Sequence, residues 1–223
     1  MAPSAIVKQA VDKGIELIAI CDHNTTENSP AVIKAAQGKE LTVLPGLEVT
    51  TREEVHVVAL FDNVADAYRM QTLVYANLEG ENDERAFGMQ PVVDANGWVL
   101  NFNPRLLIGA TKLGVEATVN AIHEYHGLAI AAHIDREGFG IIGQLGFIPK
   151  TLKLDALEIS YQVEIQEAGR RFSEYRQFPF LRSSDAHFLG DIGRASTILL
   201  LEKPSFDELG MALRQEGGRK IIN

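Results

Sequence analysis

His23, Glu48, His56, His133, Asp185 and His187 are the residues of this chain whose types and placement suit metal chemistry. All are oxygen or nitrogen donors, and the single cysteine, Cys21, stands alone. A mixed imidazole and carboxylate set of this kind suits zinc, manganese or iron at a hydrolytic centre, whereas a structural zinc clasp uses several thiolates. A carboxylate among histidines, such as Glu48, can bridge two ions that jointly orient a hydroxide and a phosphoryl group. Asp22 and His23 together read as a metal-ligand pair or an acid–base pair. A purely polar loop that caps the following helix is the plainer reading of the same two residues. His123 and His126 serve as a contrast, since they fall late in a helical pattern, where histidines favour the negative end of the helix dipole. They are expected to be structural or surface residues.

These residues are meaningful because of the elements that deliver them. Ile15–Cys21 is a short apolar run with β-branched residues, which suits a buried strand, and it ends at Asp22 and His23. Thr42–Val49 is a second strand, bent at Pro45 and Gly46, with Glu48 near its end. His56 begins the run His56–Phe61, so it shares a rim with Glu48 if these two strands form an antiparallel pair. Leu128–Ala132 delivers His133, and Phe178–Ser184 delivers Asp185 and His187, which share a side-chain direction at period two. Helices are expected at the start of the chain from Pro3, at Ala31–Gln37, Ala65–Leu78 and Val115–His126 (stopped by Gly127), near Glu164–Phe172, and at Phe206–Gln215. Leu154–Ser160 and Ser196–Leu201 read as further buried strands, and Asp94–Gly97 as the turn of a small hairpin. Strands alternating with helices indicate a βα-repeating α/β fold of about seven strands, with a barrel preferred over an open sheet. Chemistry in such folds sits at the carboxyl ends of the strands, which is where these donors fall.

Composition sets the outer limits. The chain has 223 residues, 46% of them hydrophobic, and a formal net charge of −9 spread along its length. That charge disfavours a broad basic surface for nucleic acid but leaves room for a local basic pocket. One cysteine permits no intramolecular disulfide, which suits a reducing compartment. No run approaches the roughly 18 apolar residues that a membrane helix needs. Met1–Ser4 shows neither the charged nor the apolar region of a signal peptide, so a cytoplasmic location is expected. One domain over 1–223 is expected, with 78–114 as an irregular insertion within it.

Five segments carry a resemblance in order along the chain. Cys21-Asp-His-Asn-Thr25, Pro45-Gly-Leu-Glu48, Glu54-Val-His56, Ala132-His-Ile-Asp-Arg136 and Ser183-Ser-Asp-Ala-His187 resemble the successive motifs of the PHP (polymerase and histidinol phosphatase) family, nearest to its stand-alone phosphoesterases. The resemblance implies a distorted seven-stranded barrel with a cluster of up to three divalent ions at one rim. It implies Glu48 as a bridging ligand, with His56 and His133 completing one metal site. It assigns His23 and His187 to a second site and Asp185 to the remaining one. Asp22 would orient the His23 ring. Arg136 is a candidate for phosphate contact, because a planar fork matches phosphoryl oxygens, with an ordinary ion pair to an acid such as Asp135 as the alternative. Asn24 is expected to cap the next turn.

The family's first strand ends in His-X-His, and this sequence contains no such motif. The expectation is therefore a barrel lacking its first strand, with fewer ions bound and Ile15–Cys21 left at an edge. The sequence reading is of a shortened metal-dependent phosphoesterase acting on a nucleotide, short oligonucleotide or small phosphomonoester. A metal- or ligand-binding module that has lost catalysis is the alternative. The partners implied are a small phosphorylated substrate or short nucleic acid, no membrane, and a homo-oligomer covering the open strand edges.

Overall fold

Period-two alternation in the strands decides both faces of the central sheet. In this computed structural model, which describes residues 1–222, the chain begins with helix α1 (Pro3–Asp12), strand β1 (Leu17–Ile20), helix α2 (Ser29–Ala35) and strands β2 (Thr42–Thr50) and β3 (His56–Leu60). Helices α3 (Val64–Asn77) and α4 (Glu84–Phe87) follow, then the hairpin β4 (Pro91–Val93) and β5 (Val99–Phe102). The second half runs through α5 (Val115–Glu124), β6 (Leu128–Ala131), α6 (Ile141–Leu145), β7 (Ala156–Ile159), α7 (Ile165–Arg171) and β8 (Phe180–Arg182). It closes with β9 (Leu199–Leu200), α8 (Phe206–Arg214) and β10 (Lys220–Ile221).

Six strands form one curled sheet in the order β1-β2-β3-β6-β7-β8. Strand β3 is antiparallel to both its neighbours, and the remaining pairs are parallel. The fold is mixed α/β, as expected, and β2 and β3 are the antiparallel pair that the placement of His56 required. Six strands stand where the resemblance implies seven, and β1 and β8 are the two edges.

One face of the sheet carries Leu47, Val49, Val57, Ala59, Ala129, Ala131, Leu157 and Ile159. These pack against α3 through Ala67, Met70 and Val74, and against α5 through Val119 and Ile122. The opposite face changes character along the strands. At one end Leu44, Leu60, Leu128, Ile130 and Ala156 pack against Leu209 and Leu213 of α8, which plug the curl. At the other end the same parity brings up Glu48, His56 and Glu158. Burying the apolar half is the dominant favourable term here, at about 25 cal/mol per Å² removed from water. It also fixes the register that aligns the polar half.

Two expectations are corrected. Ser196–Leu201 is not a further buried strand of this sheet: among the described residues β9 pairs with β10 in a separate two-stranded sheet, and Leu200 is exposed. The Thr197 hydroxyl both accepts from the Arg182 N–H (2.8 Å) and donates to the Arg182 carbonyl (2.9 Å), so a side chain caps the edge of β8. Gly127 does not itself supply the left-handed stop of α5, because His126 takes that conformation at φ 62°. Gly127 is required for space: a Cβ there would lie 2.6 Å from the Phe61 ring.

Candidate metal centre

Glu48 is the hub of the polar end. A parallel bridge beyond β1 sets His23 beside Glu48, and the backbone closes it: Asn24 N–H donates to the Glu48 carbonyl and Glu48 N–H to that of Asp22. His56 opens β3 opposite Thr50, which places it diagonal to Glu48 on the same face. His133 leaves β6 at φ 27°, next to His56.

The donor atoms converge closely. His23 Nδ1 lies 3.1 Å from Glu48 Oε2, and His56 Nδ1 lies 3.2 Å from Glu48 Oε1. His133 Nε2 is 3.5 Å from Glu48 Oε1 and 3.3 Å from His56 Nδ1. Ligand atoms of His23, Glu48 and His56 all fall within 4.8 Å of one another. His187 stands further out, its ring 6.1 Å from that of His23, with Nδ1 3.7 Å from Asp185 Oδ1.

These residues fit a divalent cation. The buried His23 Nδ1 has no hydrogen-bond partner despite its approach to Glu48, as if aimed at something else. Two ring nitrogens, of His56 and His133, also face each other beside one carboxylate oxygen. Such an arrangement suits neutral imidazoles sharing a cation with a carboxylate. Burial holds the His23 imidazole below its usual range, against the pull of Glu48, and so favours its ligating form. Burial would push Glu48 up, but hydrogen bonds to His133 and His56 prevail and hold its carboxyl well below the usual range. Burial also opposes protonation of His133, yet Glu48 overcomes it and raises the imidazole above its ordinary value.

Other predicted residues take different partners. The Asp22 carboxylate accepts from Asn28 Nδ2 at 3.3 Å, and burial keeps its pKa raised. Arg136 Nη1 donates to Asp185 Oδ2 at 2.6 Å, while Asp135 accepts from the backbone N–H and the hydroxyl of Ser160. Asn24 is buried at φ 54° and, in place of the expected turn cap, reaches distant backbone: its Nδ2 donates to the carbonyls of Leu107 and Gly109 and its Oδ1 accepts from Thr50 N–H. His123, in contrast, bonds Asp155 at 2.8 Å, away from the cluster.

Two residues at the site escaped the sequence reading. Glu158, in β7, is buried behind His133, and burial pushes its carboxyl up to about 7. Its signal was a lone carboxylate inside the apolar run Ala156–Ile159. Phe139 lies with its ring 4.4 Å from that of His56 at an interplanar angle of 18°.

Comparison with known proteins bears on this site. The family model for the PHP domain matches residues 1–146, and that for a PHP-associated region matches residues 167–216. An uncharacterised protein of Bacillus subtilis, YqxK, is 25% identical over 240 residues, covering 97% of this chain and 56% of its own length. The 5'-3' exoribonuclease Rnm of Salmonella typhimurium is 33% identical over 70 residues, 29% of this chain. Among solved structures, the lesion-specific endonuclease Q of Pyrococcus furiosus superposes with a TM-score of 0.74 at 18% identity, covering 99% of this chain and 53% of its own. Endonuclease Q has also been solved with a 27-mer duplex bearing an abasic lesion at the active site. A proposed metal-dependent phosphoesterase of Bifidobacterium adolescentis superposes at 0.60 with 17% identity, covering 91% of its length. This chain therefore spans about half the length of YqxK and of endonuclease Q.

Proposed function

This chain belongs to the PHP domain family, and on that premise we propose that it hydrolyses a phosphate ester with the help of bound divalent metal ions. The observation that carries the proposal is the Glu48 carboxylate lying within 3.5 Å of ring nitrogens of His23, His56 and His133. In this reading His23, Glu48, His56 and His133 hold metal, and Asp185 and His187 extend the set outward. Manganese, zinc and iron all suit such donors. A divalent ion held by these residues would supply Lewis acidity, which lowers the pKa of a water and offsets phosphoryl charge.

The protein's own part is to hold and exclude. Glu48 keeps its negative charge despite burial, which gives the site a fixed anion among the ring nitrogens of His23, His56 and His133. Arg136 adds the one guanidinium placed against the predicted ligands among the described residues, and it is our candidate for the phosphoryl oxygens. We favour a nucleic acid phosphodiester as substrate, supported by the exoribonuclease and endonuclease among the similar proteins. The net charge of −9 suits contact with a short or locally exposed stretch rather than a long electrostatic track.

The test is metal analysis of the purified protein together with hydrolysis assays in added manganese. The substrates would be a short single-stranded DNA, the same sequence as RNA, and a small phosphomonoester. Turnover that vanishes in His133→Ala supports the proposal. Stoichiometric metal with no turnover of any ester would overturn the hydrolase reading and leave a binding module.

A further inference from the structure

The loop after His133 reaches three parts of the candidate centre at once. His133 itself adjoins Glu48, Arg136 bonds Asp185, and Phe139 covers the His56 ring. The loop is folded tightly, with Arg136 N–H donating to the His133 carbonyl at 2.9 Å. A Cβ at Gly140 would lie 2.4 Å from the Arg136 carbonyl oxygen, and one at Gly143 would lie 2.2 Å from that of Glu137. Only glycine tolerates approaches this close.

Phe139 occupies a costly place in this loop. Its φ is 61°, a left-handed conformation that a bulky residue adopts only when its surroundings impose it. Core packing does not explain the strain, since the residue is 41% exposed. What Phe139 does contact is His56, twice over. Its carbonyl accepts the His56 N–H at 2.9 Å, and its ring lies parallel to the imidazole. An imidazole beside a single carboxylate can still turn about its own axis, and a stacked ring removes that freedom.

We propose that Phe139 is a positioning residue that fixes the ring plane of His56, keeping Nδ1 directed at Glu48 and the His133 nitrogen. The strained backbone is retained for that purpose. The inference rests on the metal-binding reading above and concerns how well the site is organised rather than whether it exists.

The experiment is a titration with Co²⁺, followed by its visible absorption, on the full chain and on the variants Phe139→Gly and Phe139→Tyr. Glycine accepts φ near 60° freely, so Phe139→Gly should melt at or above the wild-type temperature without metal. It should bind Co²⁺ roughly tenfold more weakly and with an altered absorption band, as when other groups that orient metal ligands are lost. Phe139→Tyr, which keeps a ring to stack, should restore both affinity and band. Wild-type affinity and spectrum in Phe139→Gly would overturn the inference alone. A metal-free melt well below wild type in that variant would mark Phe139 as structural and also overturn it. Failure of the wild-type chain to bind Co²⁺ would sink the metal reading and this inference together.

Discussion

Arg136 and Asp185 hold each other across the rim: Nη1 donates to Oδ2 at 2.6 Å. The guanidinium that the sequence offers for phosphate is thus oriented by a carboxylate that the sequence offers for metal. Removing Arg136 should weaken phosphate binding, since a charge-assisted bond contributes about 1.5–3 kcal/mol. Arg136→Ala is expected to raise the inhibition constant of inorganic phosphate roughly tenfold or more. The substitution also frees Asp185 for a cation, so Mn²⁺ affinity should hold or rise. An unchanged phosphate constant would leave Arg136 as a counter-ion of Asp185 only.

The Glu48 cluster should give opposite pH trends with and without metal. Protonated His133 stabilises the metal-free fold fully below its ordinary value of 6.5, and that contribution fades as pH rises through its raised native value. Ionised Glu48 contributes above its ordinary value of 4.5 and loses the contribution only as pH falls toward its depressed native value. With chelator present, the melting temperature should therefore decline as pH rises above the ordinary His133 value of 6.5, with Glu158 adding to the decline up to about 7, and His133→Ala should weaken it. Metal affinity should rise over the same interval, because ligation displaces the imidazole proton. Parallel melts with chelator and with Zn²⁺ check both signs.

Tyr75 ties α3 to the middle of the chain. Its hydroxyl lies 2.7 Å from Thr25 Oγ1 and accepts from Asn103 Nδ2, also at 2.7 Å. Burial pushes its pKa from 10.0 up to about 12. The neutral hydroxyl therefore stabilises the fold up to the unfolded value near 10.0, and the contribution is lost as pH climbs through about 12. Tyr75→Phe should cost about 1 kcal/mol in urea melts at neutral pH. Ultraviolet titration should show one late tyrosine ionisation in the wild type that this variant lacks.

Gly127→Ala tests the close approach behind β6. With Phe61 at 2.6 Å and Ile122 and the Leu60 carbonyl each at 2.9 Å from a Cβ, all three neighbours must give way. A destabilisation of about 1–3 kcal/mol is expected from such overpacking, read as a lower urea midpoint with an unchanged slope. An unchanged midpoint would show that the contact relaxes freely.

Much of the positioning was legible because β-structure writes itself at period two. Residues 17–20, 42–50, 56–60 and 128–131 announce strands by apolar runs, and their ends named His23, Glu48, His56 and His133. The hairpin around Asp94–Gly97 was equally plain, since its turn is closed by Asp94 accepting from Asn96 and Trp98. Glu158 was missed because its facing depends on strand parity relative to neighbours more than a hundred residues away in the case of Glu48. Phe139 was missed for another reason. Nothing in a phenylalanine codes for a left-handed backbone, which here is imposed by the tight loop around it. The sequence left Arg136 between a phosphate contact and an ion pair with an acid such as Asp135, because adjacency along the chain is all it shows. The fold sets Arg136 against Asp185 and hands Asp135 to Ser160.

The stretch just after His23 has a wider reach than its length suggests. Asn24 grips the carbonyls of Leu107 and Gly109, Glu27 is held by Asn103, and Asn28 receives Val93 while bonding Asp22. Exchanging a rim loop as a cassette assumes that it is independent of its neighbours. Here an exchanged cassette would unmoor the β4–β5 hairpin and tilt His23 in the same stroke. A useful library would instead keep 24–28 intact and vary the hairpin's solvent side, where Trp98 and Leu100 stand open.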